Sequence, residues 1–116
     1  MSGGISIHVV DVASGKVAEG MRVQVRRLGG EVLCAGRIAG NGLLTELSGL
    51  LASFSQDVYE VELEVAAFYR EQGQATVQVP FLDVLVYRFG LDDPHQHYHL
   101  PFKLTAWGVS CFRGGA

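Results

Sequence analysis

Two stretches near opposite ends of this chain alternate apolar and polar residues with a period of two. Tyr98, Leu100, Phe102 and Leu104 interleave with His99 and Lys103, and Ile5, Ile7 and Val9 interleave with Ser6, His8 and Val10. Successive side chains of a strand point to opposite faces. Each stretch therefore presents one apolar face that must be buried. The opposite face of the later stretch carries an imidazole and an ammonium, which makes it either solvated surface or a site.

The same periodicity organises the rest of the chain. Residues 5–11 read as a first strand, followed by a polar turn over Asp11 to Lys16 in which Asp11 fixes the turn. Met21 to Leu28 alternates as a half-buried strand, Gly29-Gly30 marks a tight hairpin, and Glu31 to Ile38 returns. Gly40-Asn41-Gly42 is another turn, because both residue types tolerate positive φ. Leu43 to Leu51 fits neither period cleanly. Val58 to Glu64 reads as an exposed strand whose Glu60, Glu62 and Glu64 face water, without a common point on which to hold a metal. Ala66 to Gln72 is the one short helix expected, without a good N-cap and ended by Gly73. Ala75 to Phe89 holds one or two strands interrupted at Pro80, Gly90 to Gln96 is a loop, and two strands follow. Seven or eight short strands with regular turns and one short helix predict an all-β, two-sheet antiparallel sandwich, as one domain over residues 1–116.

Composition narrows the function classes. With 48% hydrophobic and 18% charged residues the chain has the means to build a core, which argues against disorder. A net charge of −3 lacks the basic footprint of a nucleic-acid binder. No apolar run approaches the roughly 20 residues of a membrane span, and no basic segment followed by an apolar one opens the chain. The expectation is a cytoplasmic protein without membrane or nucleic-acid partners. Cys34 and Cys111 are not in metal-binding spacing and read as reduced, buried fillers. Arginines outnumber lysines seven to two, so Lys103 on an otherwise apolar strand carries weight.

Three segments resemble one family. Ile7-His8-Val9-Val10-Asp11-Val12-Ala13-Ser14-Gly15-Lys16 is similar to the opening "THVLDTASGKPA" of the transthyretin-related 5-hydroxyisourate hydrolases. Asp93-Pro94-His95-Gln96-His97-Tyr98-His99-Leu100-Pro101 resembles their "DPEQHYHVP", and Ser110-Cys111-Phe112-Arg113-Gly114-Gly115 is a modified form of their "STYRGS". The likeness is strong at both ends and weak between about residues 44 and 75. It implies a transthyretin-like sandwich assembled as a homotetramer, a dimer of dimers. Active sites would lie in a channel at the dimer–dimer interface, where a metal-free, cofactor-free enzyme opens 5-hydroxyisourate with an activated water.

The resemblance also implies site residues, and here the chain departs from the family. The two histidines of the family's catalytic set are kept as His8 and His99. The arginine of its "DGR" turn becomes Leu43 in Asn41-Gly42-Leu43, the tyrosine of "YRGS" becomes Phe112, and the final serine becomes Gly115. The expected proton-transfer pair is His8 and His99, since imidazole exchanges protons near neutrality. Lys103, on the same face as His99, stands in as the catalytic cation, although it lacks the planar fork of an arginine. His97, Leu43, Ser110, Phe112 and Arg113 are the candidate substrate contacts. His95 is a loop histidine, and Trp107 lies in the turn between the last strands.

Two functions follow. One is a hydrolase acting on a small polar heterocycle, 5-hydroxyisourate or a related biosynthetic intermediate. The alternative is a non-catalytic carrier of a small ligand in the same channel, favoured by the lost arginine, tyrosine and serine and disfavoured by the kept histidines. A scaffold subunit is a third, weaker reading.

Overall fold

A computed structural model describes residues 3–50, 53–74 and 77–115. The described residues form two four-stranded sheets packed face to face. The first has the order β2-β1-β7-β8, from β1 (Ile5–Asp11), β2 (Lys16–Val17), β7 (Tyr98–Leu104) and β8 (Val109–Ser110). The second has the order β4-β3-β5-β6, from β3 (Arg22–Arg27), β4 (Val32–Arg37), β5 (Asp57–Glu64) and β6 (Val84–Leu91). A two-sheet sandwich of eight strands with one short helix is thus the architecture of the described residues.

The alternation in the sequence becomes the core. Ile5, Ile7 and Val9 from β1 and Leu100, Phe102 and Leu104 from β7 are almost wholly buried against Val23, Val25, Tyr59, Val61 and Leu63 of the other sheet. Burial of this apolar surface, at about 25 cal/mol per Å², is what holds the sheets together. The one parallel pairing among the described strands is β1 with β7, which sets Ser6 beside His99, His8 beside Pro101 and Val10 beside Lys103. The two ends of the chain therefore meet on one sheet, and their outward faces merge.

Pro101 shapes the edge of that sheet. Lys103 pairs with Ser110, and His99 exchanges backbone bonds with Gly114 in the same register, His99 N–H to Gly114 O at 3.0 Å and Gly114 N–H to His99 O at 2.7 Å. Pro101 lies midway and has no N–H to donate. The ladder lapses there, so β8 is only two residues long and the segment after it runs irregularly to Gly114.

Several expectations change. The acidic strand β5 is not an exposed strand, because it lies between β3 and β6, with Tyr59, Val61 and Leu63 fully buried. Its carboxylates do not simply face water. Glu62 accepts from Gln24 and pairs with Arg26, Glu60 pairs with Arg88 at 3.0 Å, and Glu64 with Arg22 at 3.8 Å. The uncertain stretch after Leu43 is a 3₁₀ turn over Thr45–Leu50 whose Leu47 is buried, and Leu51 lies outside the described residues. One strand, β6, follows Pro80 and runs on through Gly90 to Leu91, while residues 75 and 76 lie outside the described residues. Cys34 is buried, but Cys111 is only partly so; both are free thiols.

The helix α1 (Val65–Glu71) follows β5 directly and has no side-chain cap. Packing compensates for the missing cap: Val65, Ala66, Phe68 and Tyr69 are buried. The Tyr69 hydroxyl donates to Asp11 Oδ1 at 2.6 Å, while the Ser14 N–H donates to Asp11 Oδ2 at 3.2 Å. Asp11 therefore fixes the turn after β1 and also docks the helix. Burial works against its charge, yet hydrogen bonds from Ser14, Tyr69 and the backbone outweigh it and hold the carboxyl below its ordinary value. Burial and the Asp11 carboxylate push the Tyr69 phenol up.

Candidate active site

The outward face of the first sheet collects the chemistry. β1 contributes Ser6 and His8, and β7 contributes His99 and, at its far end, Lys103. The parallel register brings Ser6 and His99 side by side. Ser6 Oγ lies 2.6 Å from His99 Nδ1 and 2.7 Å from Nε2 of His97, which stands just before β7. His97 Nδ1 lies 2.9 Å from the Gly3 carbonyl oxygen. A carbonyl only accepts, so His97 Nδ1 carries a proton and donates it.

His8 is held by the turn opposite. Val9 N–H donates to Gly42 O at 3.0 Å and Leu44 N–H to Ile7 O at 3.1 Å, so the 42–44 segment runs along β1 where β2 has ended. Gly42 has φ +85°, and a Cβ there would sit 2.3 Å from His8 Nε2. Only glycine serves both the backbone angle and the contact. Leu43 forms a single bridge with His8, and its N–H donates to Asn41 Oδ1 at 3.0 Å. The turn carries leucine where the family pattern has arginine, and its bridge sets an apolar residue beside His8. Under it, Ile5, Ile7, Leu44, Leu47 and His97 help line a cleft of about 210 Å³.

The C-terminal segment closes the other side. A Cβ on Gly115, which has φ +69°, would lie 3.0 Å from His99 Cβ and 3.2 Å from His97 Cδ2. The missing serine side chain is what lets the backbone lie against both imidazoles. Phe112 is exposed, and Lys103 Nζ lies 5.9 Å from its ring centroid, within cation–π range. Lys103 stands four residues along β7 from His99, about 13 Å at the rise of a strand. Its lean over Phe112, which lies across from Pro101, carries the charge back along the face. Ser110 is exposed beside it.

Arg113 is not brought to this face. Its guanidinium stacks 4.0 Å from the Tyr98 ring centroid and donates to Gln96 Oε1 at 3.0 Å and to the His97 carbonyl at 3.2 Å. It pins the segment that carries His97. His95 is a loop histidine, highly exposed and 3.3 Å from Asp93. Trp107 sits in the turn between β7 and β8, stacked on Phe81 at 6.1 Å. Ser6 is the group on this face that sequence reasoning passed over. Its signal was its place on the same alternating face as His8.

Burial disfavours a positive charge on His99, and the neighbouring His8 and His97 disfavour it further, so His99 lies below the ordinary imidazole value. Its surroundings thus favour the neutral imidazole. A hollow of about 340 Å³ on the other sheet, lined by Arg22, Arg37 and Glu64 among others, holds charges but no imidazole. Arg22 and Arg37 both pair there with Glu71. The imidazoles lie on the first sheet.

Comparison with known proteins bears on the family and the fold. The HIUase/Transthyretin family model matches residues 5–114. The chain is 36% identical to the 5-hydroxyisourate hydrolase of Deinococcus radiodurans and 34% identical to that of Halalkalibacterium halodurans, in each case over 98% of this chain and 99% of the relative. The solved structure of Klebsiella pneumoniae 5-hydroxyisourate hydrolase superposes with a TM-score of 0.79 at 28% identity, covering 97% of this chain and 93% of that one. With fold, order of motifs and nearly full-length identity in agreement, the chain belongs to the HIUase/Transthyretin family.

Proposed function

We propose that this protein is a hydrolase of 5-hydroxyisourate or a closely related polar heterocycle, with its site on the outward face of β1 and β7. The observation that carries this reading is the Ser6–His97–His99 cluster facing His8, a neutral imidazole base beside a second imidazole. His99 takes a proton from water. The resulting hydroxide adds to a ring carbonyl carbon, the carbon–nitrogen bond breaks as a proton passes from His8 to the leaving nitrogen, and the proton taken up by His99 passes to His8 through solvent, which resets both. Lys103, leaning over Phe112, supplies the positive charge that draws an anionic ring to the face. Phe112 offers it a flat surface to stack on, and His97, Leu43 and Ser110 border it. Arg113 acts at a remove, by holding the segment around His97.

The relatives bearing the hydrolase name support the reaction, and the match over residues 5–114 supports treating residues 1–116 as one domain. We further propose that the chain works as a dimer of dimers in the cytoplasm, with the site in the channel between dimers. No described helix is long and apolar enough to cross a membrane.

Leu43 favours a second reading. An apolar side chain beside His8, over an apolar cleft, suits a carrier of a small ligand. The first test is the decay of freshly generated 5-hydroxyisourate, followed by ultraviolet absorbance, with wild type beside Leu43→Arg. Acceleration by wild type is expected, with a lower KM in the variant as a cation joins His8. Decay at the spontaneous rate with wild type would overturn the assignment of this substrate. His8→Ala separates the carrier reading, since a carrier keeps its ligand affinity while an enzyme loses turnover.

A further inference from the structure

We infer that Ser6 and His97 are positioning residues that lock His99 in its Nδ1–H tautomer, leaving Nε2 as the atom that accepts the proton from water. The catalytic part of this inference rests on the hydrolase reading; the tautomer itself does not.

The direction of each hydrogen bond follows from what each atom can do. The Gly3 carbonyl accepts from His97 Nδ1 at 2.9 Å. A neutral His97 then has its lone pair on Nε2, so at 2.7 Å the Ser6 hydroxyl must donate to it. A serine hydroxyl has one proton. Having given it to His97, Ser6 can only accept at its other contact, 2.6 Å from His99 Nδ1. His99 Nδ1 therefore carries the hydrogen, and its lone pair is on Nε2. Among the described residues nothing bonds Nε2 of His99. A proton on His97 Nε2 would reverse the whole chain and place the hydrogen of His99 on the wrong nitrogen.

The backbone enforces the chain. Ser6 and His99 are partners in the parallel β1–β7 register. Gly3, two residues before β1, is tied to the loop by its N–H to the His95 carbonyl at 2.9 Å, and Arg113 holds the His97 carbonyl at 3.2 Å. An imidazole on a flexible side chain in water favours the Nε2–H form. The protein thus imposes the less common tautomer at the position that needs a basic Nε2, as a second group fixes the tautomer of a catalytic histidine elsewhere.

The test is a long-range proton–nitrogen correlation spectrum of protein labelled at its histidine nitrogens, recorded at mildly alkaline pH without substrate. Wild-type His99 should show a protonated Nδ1 and an unprotonated Nε2. Ser6→Ala should move it toward the Nε2–H form, and Ser6→Thr, which keeps a hydroxyl, should restore the wild-type pattern. In turnover of 5-hydroxyisourate, Ser6→Ala should lower kcat by about 10-fold or more with little change in KM, and Ser6→Thr should recover most of the loss. A wild-type His99 protonated on Nε2, or a pattern that Ser6→Ala leaves unchanged, would overturn the inference whether or not the protein turns over this substrate. The expected spectra with an unchanged kcat in Ser6→Ala would overturn the positioning role while leaving the hydrolase reading in place.

Discussion

The outward faces of the two sheets are both polar, yet they are built differently. On the second sheet, polarity is self-contained. Arg22 and Arg37 pair with Glu71, Arg26 with Glu62, Arg27 with Asp57 and Arg88 with Glu60, mostly at half-exposed positions. On the first sheet there is little fixed charge. Two imidazoles and a hydroxyl are linked in a chain beside a third imidazole, His8, and it ends on a ring nitrogen that nothing bonds among the described residues. Charges that satisfy one another make a solvated surface. Polar groups that orient one another toward a vacant acceptor make a site.

Perturbing each face in turn sharpens that contrast. The largest effect is expected at the turn behind His8. Gly42→Val forces a Cβ onto the imidazole and an unfavourable backbone angle. It should lower kcat/KM by about 100-fold, since small misplacements of a catalytic group are that costly, and it should also lower the Tm. Steady-state kinetics with a thermal melt checks both.

Next is Tyr69→Phe, away from either face. It strips a donor from the buried Asp11 carboxylate and should cost about 1–3 kcal/mol in a denaturant titration, with kcat unchanged. The sign with pH is fixed by the direction of the Asp11 shift. A carboxyl depressed in the folded state stabilises above its unfolded value near 3.8, and that stability is lost as pH falls through the lower folded value. With a donor removed, Tyr69→Phe should unfold at a higher pH than wild type during acid titration.

His99 gives a prediction of the same form. Its folded value lies below the ordinary 6.5, so the unfolded chain takes up the proton first as pH falls, and stability drops across the window below 6.5. The acid limb of kcat/KM against pH should therefore fall below 6.5. A limb above that value would contradict the burial of His99 among imidazoles.

The smallest effect belongs to the second sheet. Arg88→Ala breaks an ion pair whose arginine is 62% exposed and should cost less than about 1 kcal/mol, with no change in turnover. A large kinetic effect there would blur the distinction between the faces.

How much of this was legible in the sequence depended on range. Alternation is local, so β1, β3, β5 and β7 and the face holding His8 and His99 could be read residue by residue. The pairing of β5 with both β3 and β6 is not local, so its glutamates looked solvated, although arginines from neighbouring strands reach them. The parallel β1–β7 register joins residues more than ninety positions apart. Without it, Ser6 is one more serine on a strand. Arg113 depends on range too: its place in the motif suggests a ligand contact, while its partners Tyr98 and the His97 carbonyl lie about fifteen residues away and could not be read from the motif.

In the proposed function the first sheet's outward face performs proton transfer through His99. The most direct test compares wild type, His99→Ala and Arg88→Ala in the decay of freshly generated 5-hydroxyisourate. Acceleration is expected from wild type and Arg88→Ala alike, and decay at the spontaneous rate with His99→Ala. Turnover by His99→Ala equal to that of wild type would contradict it.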